Sequence, residues 1–557
     1  MAERRMQGQP MIIMGEDAQR MKDKDAQQHN ISAARAVADA VRTTLGPKGM
    51  DKMLVSSMGD VTVTNDGVTI LKEMDIDDPT AEMIVEVAET QEDEAGDGTT
   101  TAVAVAGELL KEAEELLEQD IHATAIIRGY NLAAEKAKAE VDEVAIQVDP
   151  EDEELIRSVA ETSMTGKGAE LDKDLLSELI YEGLNSVAID AEDGSTVIDL
   201  NDIEIETQTG RQVSESELLA GAVVDKDPVH DNMPRELEDA SILLLNEAIE
   251  IEEAETDTTV SVDSPEQLQQ FLDKEEEQLR KKVETIKSVG ADVVFCQKGI
   301  DDMAQHFLAK EGILAVRRTR KSDIEFLTEV LDASIVTDLD SVTEADLGTG
   351  SVSRDEDDEL FYVVGDGTST RVTLLLRGST DHVVDEVERS VTDALDVASQ
   401  ALTDGRVLPG GGAIEVELAD RVRSYADGVE GREALAVEAF ADALELVPRV
   451  LSSNAGLDSI DMLVELRAAH EGGETRAGLN VFTGDIGDTF EAGIVEPAHA
   501  KEQAISSASE AANLVLKIDD IISAGDLSTE GEDEEGAGGG MGGMGGMGGM
   551  GGMGGAM

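Results

Sequence analysis

Two glycines, an aspartate and three threonines stand together at Gly96-Asp97-Gly98-Thr99-Thr100-Thr101. The glycines open the backbone, the hydroxyls supply oxygen ligands and donors, and Asp97 offers a carboxylate to a cation. The alanine- and leucine-rich stretch from Ala102 to Leu117 follows at once and reads as a helix. The loop therefore falls at a helix N-terminus, where unpaired N–H groups and partial positive charge suit a phosphate. The chemistry implied is a nucleoside triphosphate held with Mg²⁺. A Gly-Asp-Gly turn with no ligand would have the same sequence.

Other stretches carry compatible chemistry. Leu45-Gly46-Pro47-Lys48-Gly49 is a second phosphate-type turn in which Lys48 offers charge; its alternative is a helix C-cap followed by a turn. Asn65-Asp66-Gly67 puts a carboxylate in a tight turn, as an ordinary hairpin also would. Gly410-Gly411-Gly412 can admit a base or ribose against bare backbone, or serve as a hinge. Asp393 lies among apolar neighbours in a helix, where an inward carboxylate could orient a water for attack on a γ-phosphate. An outward-facing acid is the plain alternative there, and a loop acid is the plain alternative for Glu496.

These residues must be positioned by helices and hairpins. Ile31 to Leu45 has helical spacing and stops at Gly46-Pro47. Lys52 to Ser56 and Val61 to Thr64 form a hairpin pattern, and Val68 to Met74 and Pro79 to Thr90 resume helix. Glu153 to Lys167 is expected as a helix ending in Thr165-Gly166-Lys167-Gly168. Strands follow at Ala240 to Asn246, Asp292 to Cys296 and Ile313 to Arg317, a pattern of a separate α/β domain. Ser264-Pro265-Glu266-Gln267 is a capped helix start, and Leu268, Phe271, Leu272, Leu279, Val283 and Ile286 mark one face of the helix it opens. The acidic, threonine-rich arm Ile249 to Val262 before it is expected to project. Val372 to Arg377 is an apolar strand, Val383 to Leu402 a helix, and alanine-rich helices continue to Ala524. From Gly538 the chain is glycine with methionine at every third place, Met541 to Met553, and no proline stiffens it, which suits a flexible tail.

At 557 residues the chain suits roughly three to four domains. Its 41% hydrophobic content excludes a disordered acidic polymer. The 44 basic residues face 122 acidic ones, a net charge of −78. The acids are spread along the chain, the mark of a surface adapted to a salt-rich cytoplasm; in molar salt the Debye length falls to about 3 Å. That sign excludes a nucleic-acid partner. A single cysteine, Cys296, excludes an intrachain disulfide and a cysteine metal cluster. The apolar run Met11 to Met14 is too short for a signal-peptide core, and no long apolar run suits a membrane span, so a cytoplasmic protein is expected.

From about Asp25 to Ala524 the chain resembles the group II chaperonin family. The resemblance rests on Leu45-Gly46-Pro47-Lys48-Gly49 and its continuation to Met53, Thr64-Asn65-Asp66-Gly67 to Leu71, Gly96 to Ala102, and Met164-Thr165-Gly166-Lys167-Gly168. It extends through Phe295 to Asp302, Pro409 to Ala413 and Gly478 to Gly484, in that order along the chain. The Gly–Met tail is also similar to the family's tails.

The resemblance implies a multidomain fold, α plus α/β. A mostly helical equatorial ATP-binding domain would come from 1–147 and 406–525, and a small α/β intermediate domain from 148–217 and 371–405. An α/β apical domain would span 218–370, with a helical protrusion at about 247–287 as a built-in lid, and 526–557 would be tail. Carried over position by position, Leu45, Gly46 and Pro47 line the nucleotide, and Asp97 binds Mg²⁺. Gly98, Thr99, Thr100 and Thr101 hold phosphates. Gly411 and Asn480 face ribose or base, with Glu496 at the ribose. Asp66 and Asp393 position the attacking water, and Lys167 senses the γ-phosphate.

The implied function is ATP-dependent enclosure of unfolded polypeptides in a double-ring cavity, with ATP, Mg²⁺ and K⁺ as cofactors. The implied partners are unfolded clients and identical or paralogous subunits. A non-folding scaffold or storage ATPase ring is the alternative. A monomeric metabolic kinase fits less well, because no Gly-x-x-x-x-Gly-Lys-Ser/Thr loop is present. The surface acid implies that assembly needs high K⁺ or Na⁺.

Overall fold

A computed structural model describes residues 20–22, 24–56, 59, 61–167, 169–190, 196–251, 265–367 and 369–522. Two units divide the chain, one of 1–26 with 519–557 and one of 27–518. In the first, strand Arg20–Lys22 pairs antiparallel with Asp520–Ile522, Arg20 opposite Ile522.

The second unit holds three main hydrophobic cores. One is helical and joins distant parts of the chain: Pro79–Ala95, Thr99–Glu118 and Ala123–Val144 pack with Ala413–Ala426, Glu433–Leu444 and Ala498–Lys517. Alanine and glycine on facing ridges let these helices close tightly. A Cβ on Gly107 would stand 2.4 Å from Ala38 Cβ, and one on Gly129 would stand 2.5 Å from Ala436 Cβ. At the centre, Tyr130 and Phe440 meet edge-on with ring centroids 5.8 Å apart, and the Tyr130 hydroxyl donates to Leu109 O at 2.7 Å.

A second core fills a seven-stranded sheet. Its path runs Leu314–Arg317, Val293–Cys296, Glu236–Leu245, Gly348–Arg354, Phe361–Gly365 and Ala222–Val224, with Ile335–Val336 also pairing Glu236–Leu245. The parallel strands Val293–Cys296 and Leu314–Arg317 are almost wholly apolar and buried, as parallel strands covered on both faces must be. The third core lies under a three-stranded sheet centred on Val372–Gly378, parallel to Ile203–Thr209 and antiparallel to Glu217–Ala220. Helices Glu153–Met164, Lys173–Val187 and Asp381–Asp404 pack against it. Its buried Arg377 is neutralised by Glu217 and Asp358, both at 2.8 Å. In a smaller sheet of Ile146–Gln147, Arg406–Pro409 and Val495–Pro497, the glycine run 410–412 directly follows the central strand, Arg406–Pro409.

Several expectations need correction. The helix expected to run to Leu45 is Lys24–Arg42, because Gly46 takes φ +77° and the chain turns from Thr43 onward. The helix expected to end at Lys167 stops at Met164, and Gly166 at φ +84° then reverses the chain. The final helix ends at Lys517 and gives way to strand Asp520–Ile522, with Ala524 outside the described residues. The arm does not project from its first residue. Ile249 is fully buried, its N–H donates to Gly299 O at 3.0 Å, and its carbonyl accepts from Asp301 N at 2.9 Å. Residues 252–264, including the Ser264 cap, lie outside the described residues, as does the Gly–Met tail. In the helix Pro265–Ser288, Leu279, Val283 and Ile286 are buried in the sheet core while Leu272 is half exposed, so the apolar face is not one continuous contact.

Candidate functional site

Two helices meet end to start at the threonine loop. Pro79–Ala95 closes on Gly96, whose φ of +60° lets its N–H reach Glu92 O at 2.8 Å. Thr99–Glu118 begins after Gly98, at φ +81°, with no side chain capping its first turn. The N–H groups of that turn are thus left facing the space in front of the helix, the arrangement an anion needs. Gln91, fully buried, pins the loop by donating to Asp97 O at 2.8 Å and Ala500 O at 3.2 Å.

Asp66, expected in a tight turn, stands where strand Val61–Thr64 gives way to a helix. It is the N-cap of helix Gly67–Glu73 and accepts from Thr69 N at 2.8 Å, so its carboxylate is oriented by the backbone it caps. Gly67 presses on the threonine loop: a Cβ there would lie 2.4 Å from Thr100 Oγ1. Asn65 donates to Gly166 O at 2.8 Å, and a Cβ on Gly166 would meet Pro47 Cα at 2.5 Å. Leu45 is held from behind by Asn454, which donates to its carbonyl at 2.9 Å.

Lys167 and Asp393 come from different elements and meet at 2.5 Å, Nζ to Oδ2. Asp393 therefore faces inward. Burial opposes the Lys167 charge, but Asp393, Asp97 and Asp66 outweigh it and hold the ammonium above its ordinary value. Burial pushes the Asp393 carboxyl up, Lys167 pulls it back, and Asp97 and Asp66 add to the rise. Sequence reasoning missed Glu92, whose carboxyl is pushed up to about 8 by burial and then by Asp393, Asp66 and Asp97. Its placement in the last turn of the helix leading into Gly96 was the available signal. Four carboxyl groups thus surround one ammonium. That excess of hard oxygen donors fits Mg²⁺.

On the opposite wall, strand Val495–Pro497 presents Glu496, which accepts from Lys501 at 2.7 Å. Lys501 also reaches Glu415 at 2.5 Å, and both Lys501 and Glu415 are buried. Neither was singled out by sequence. Burial pushes the Glu496 carboxyl up, opposed by Lys501 and helped by Glu415. Asn480 ends strand Ala477–Asn480, its Oδ1 accepting from Phe482 N at 3.0 Å. Gly411, at φ +68°, is needed for a close approach within the protein: a Cβ would lie 2.6 Å from Leu479 O. Lys48 does not offer its charge to the loop; it is exposed and stands 4.5 Å over the Phe482 ring.

The structure brings these residues into one cleft of about 770 Å³. Leu45, Gly46, Pro47, Asp66, Asp97, Gly98, Thr99, Thr100, Thr101, Lys167, Gly411, Asn480 and Glu496 all line it, and Asp393 joins through Lys167. The sequence profile of the TCP-1/cpn60 chaperonin family matches residues 37–526. The chain belongs to the TCP-1/cpn60 chaperonin family.

This chaperonin is 75% identical over 530 residues to thermosome subunit beta of Halobacterium salinarum, covering 95% of each chain. It is 72% identical over 539 residues to thermosome subunit 2 of Haloferax volcanii, covering 97% of each. The latter organism also has a thermosome subunit 1, 57% identical to this chain over 542 residues and 96% of each chain, so such subunits occur as paralogues. Among solved structures, the open-state monomer of a group II chaperonin from Methanococcoides burtonii matches at a TM-score of 0.60 and 42% identity, covering 76% of this chain and all of that one. The fold is that of a group II chaperonin monomer, and its function is the folding of other proteins. The family binds ATP and consists generally of ATPases. Among the described residues no helix is long and apolar enough to cross a membrane.

Proposed function

We propose that this chaperonin hydrolyses ATP, and that hydrolysis drives closure of a ring around an unfolded polypeptide. The observation that carries the reading is the Lys167–Asp393 pair at the edge of a cleft whose floor is an uncapped helix start. Thr99, Thr100 and Thr101 with Gly98 hold phosphates through backbone N–H groups and hydroxyls. Leu45, Gly46, Pro47, Gly411, Asn480 and Glu496 line the nucleoside. Asp97 would hold Mg²⁺, which would neutralise phosphate charge, with K⁺ as a further counter-ion.

Asp66 and Asp393 orient the attacking water. Asp66 is fixed by its cap bond to Thr69, and the raised Asp393 carboxyl is a better proton acceptor than an exposed one. Lys167 gives its ammonium to Asp393 or to the γ-phosphate, and the choice reports whether the phosphate is present. Differential affinity for the arrangement in which both sides of the cleft grip the nucleotide is what lets ATP shift the conformation.

The reading places an equatorial domain at 1–147 and 406–525, an intermediate domain at 148–217 and 371–405, and an apical domain at 218–370. Its lid is drawn from within 247–287. The grouping of buried residues supports this: one core draws on 31–141 and 408–516, another on 156–203 and 372–402, and the third on 222–363. Asp393 and the threonine loop would then belong to different domains. Subunits, identical or paralogous, would form stacked rings in the cytoplasm.

The test is Asp393→Ala in the full chain at molar KCl. It is expected to bind ATP within a few-fold of the unaltered protein and to lose phosphate release. Unchanged turnover would overturn the catalytic assignment. Electron microscopy with and without ATP reads ring formation and closure independently.

A further inference from the structure

Away from the cleft, three carboxyl groups meet where the three-stranded sheet faces the seven-stranded one. Glu204 and Glu206 project from strand Ile203–Thr209, two residues apart and so on one face. Asp323 enters from the first turn of helix Lys321–Leu331, whose Ile324, Leu327 and Val330 belong to the core of the seven-stranded sheet. An oxygen from each of the three lies within 4.8 Å of the others. That is the largest separation available to two oxygens sharing one ion at about 2.4 Å, a distance typical of calcium–oxygen bonds.

The cluster is incompletely satisfied. Arg320 donates from Nη2 to both oxygens of Glu206, at 2.6 and 2.8 Å, and its Nε is 3.3 Å from Asp323 Oδ1. Ser322 also donates to Asp323 Oδ1, at 3.1 Å. Asp323 is only 1% exposed, yet its Oδ2 has no donor, and Glu204 Oε2 is likewise buried without one. Buried carboxylate oxygens without partners are uncommon in native proteins because each forfeits its hydration. One guanidinium against three carboxylates leaves two negative charges. A helix-start aspartate alone would explain Asp323 as a dipole partner. It would not explain two glutamates delivered to the same point by another sheet.

We propose that Glu204, Glu206 and Asp323 form a binding site for a divalent cation with a preference for hard oxygen ligands, Ca²⁺ or Mg²⁺. Two positive charges balance the residual two negative ones, and the unpartnered oxygens of Asp323 and Glu204 become ligands. The ion ties helix Lys321–Leu331 to strand Ile203–Thr209 and so joins the two sheets. Arg371 reinforces the same junction, reaching Asp202 at 2.9 Å and Glu329 at 3.8 Å. Arg320 holds Glu206 in place as a positioning residue.

The site is tested with Mn²⁺ as probe, titrated into nucleotide-free full-length protein in molar KCl while electron paramagnetic resonance reads free Mn²⁺. One Mn²⁺ per subunit is expected at this site, displaced by Ca²⁺ or Mg²⁺. Glu204→Gln and Asp323→Asn should each weaken it at least tenfold, while Asp97→Ala leaves it intact. Ca²⁺ should also raise the unfolding temperature of the unaltered protein and not of the two variants. Equal Mn²⁺ binding in unaltered protein and both variants would overturn the proposal. So would Mn²⁺ binding abolished by molar K⁺, because the occupant would then be monovalent.

Discussion

Lys167 and Asp393 stand 226 residues apart in the chain, and their side chains meet at 2.5 Å. The lysine follows the reversal at Gly166, the aspartate lies midway along helix Asp381–Asp404, and both face the carboxylates of Asp66 and Asp97. The pair is thus a joint whose strength depends on what else presents negative charge to the ammonium.

Removing the ammonium by Lys167→Ala leaves Asp393 buried beside Asp66 and Asp97 with no cation. Its carboxyl rises further, which makes the ionised, proton-accepting form scarcer. ATP turnover should fall by about 10²-fold or more, the usual scale for loss of a general base, while nucleotide affinity changes far less. Steady-state phosphate release and equilibrium binding of labelled ATP separate the two. Turnover within threefold of the unaltered protein would show that the pair is only structural.

Legibility in the sequence followed locality. The threonine loop could be read because its glycines, hydroxyls and following helix are adjacent in the chain, and the hairpin and parallel strands were read for the same reason. Lys167, by contrast, is one lysine after a helix, and only its surrounding motif marked it. Glu92, Glu415 and Lys501 escaped notice because a buried charged residue looks the same in sequence as the many solvated ones. What turns them inward is packing between segments hundreds of residues apart. Lys48 erred in the opposite direction: its glycine neighbours suggested phosphate, but the turn sends it outward over Phe482. Ile249 looked like the start of a projecting arm because the acids after it dominate the composition, whereas its own side chain is core.

Glu92 makes the nucleotide-free protein sensitive to pH. Its carboxyl is at about 8 when folded against an ordinary value near 4.5, so between those limits the folded state holds a proton that the unfolded chain has released. Stability contributed by this group therefore falls as pH rises from about 5 and levels off above 8. Glu92→Gln should flatten that slope and raise the unfolding temperature at pH 8.5 relative to the unaltered protein, with little difference at pH 5. Mg²⁺ alone should also flatten it, since added positive charge favours the carboxylate. Parallel pH profiles for the two proteins would contradict the assignment.

Gly46 is fixed by space and by backbone. At φ +77° a side chain is strained, and a Cβ would stand 2.2 Å from Leu451 Cδ2 in the helical core. Gly46→Ala should cost about 1–3 kcal/mol from the conformational strain alone and displace the Leu45–Pro47 wall of the cleft. Denaturant unfolding reads the first effect, and weakened nucleotide binding reads the second. Leu451→Ala in the same chain relieves the clash but not the strain, so it should restore binding more than stability.

Lys501 is held between Glu415 and Glu496, and all three side chains are largely out of water. Lys501→Met keeps the length and removes the charge, leaving two carboxylates facing each other without a cation. Breaking a buried pair in this way typically costs about 3–5 kcal/mol. The loss should shrink as pH falls, because the raised carboxyl of Glu496 becomes still easier to protonate once its lysine is gone. Glu415→Gln added to Lys501→Met should recover part of the stability, since it removes one of the two opposed charges, and the double-mutant cycle gives the coupling directly. Additive losses would mean that the three groups act independently, and nucleotide affinity should follow stability only if Glu496 turns away from the cleft when its lysine is removed.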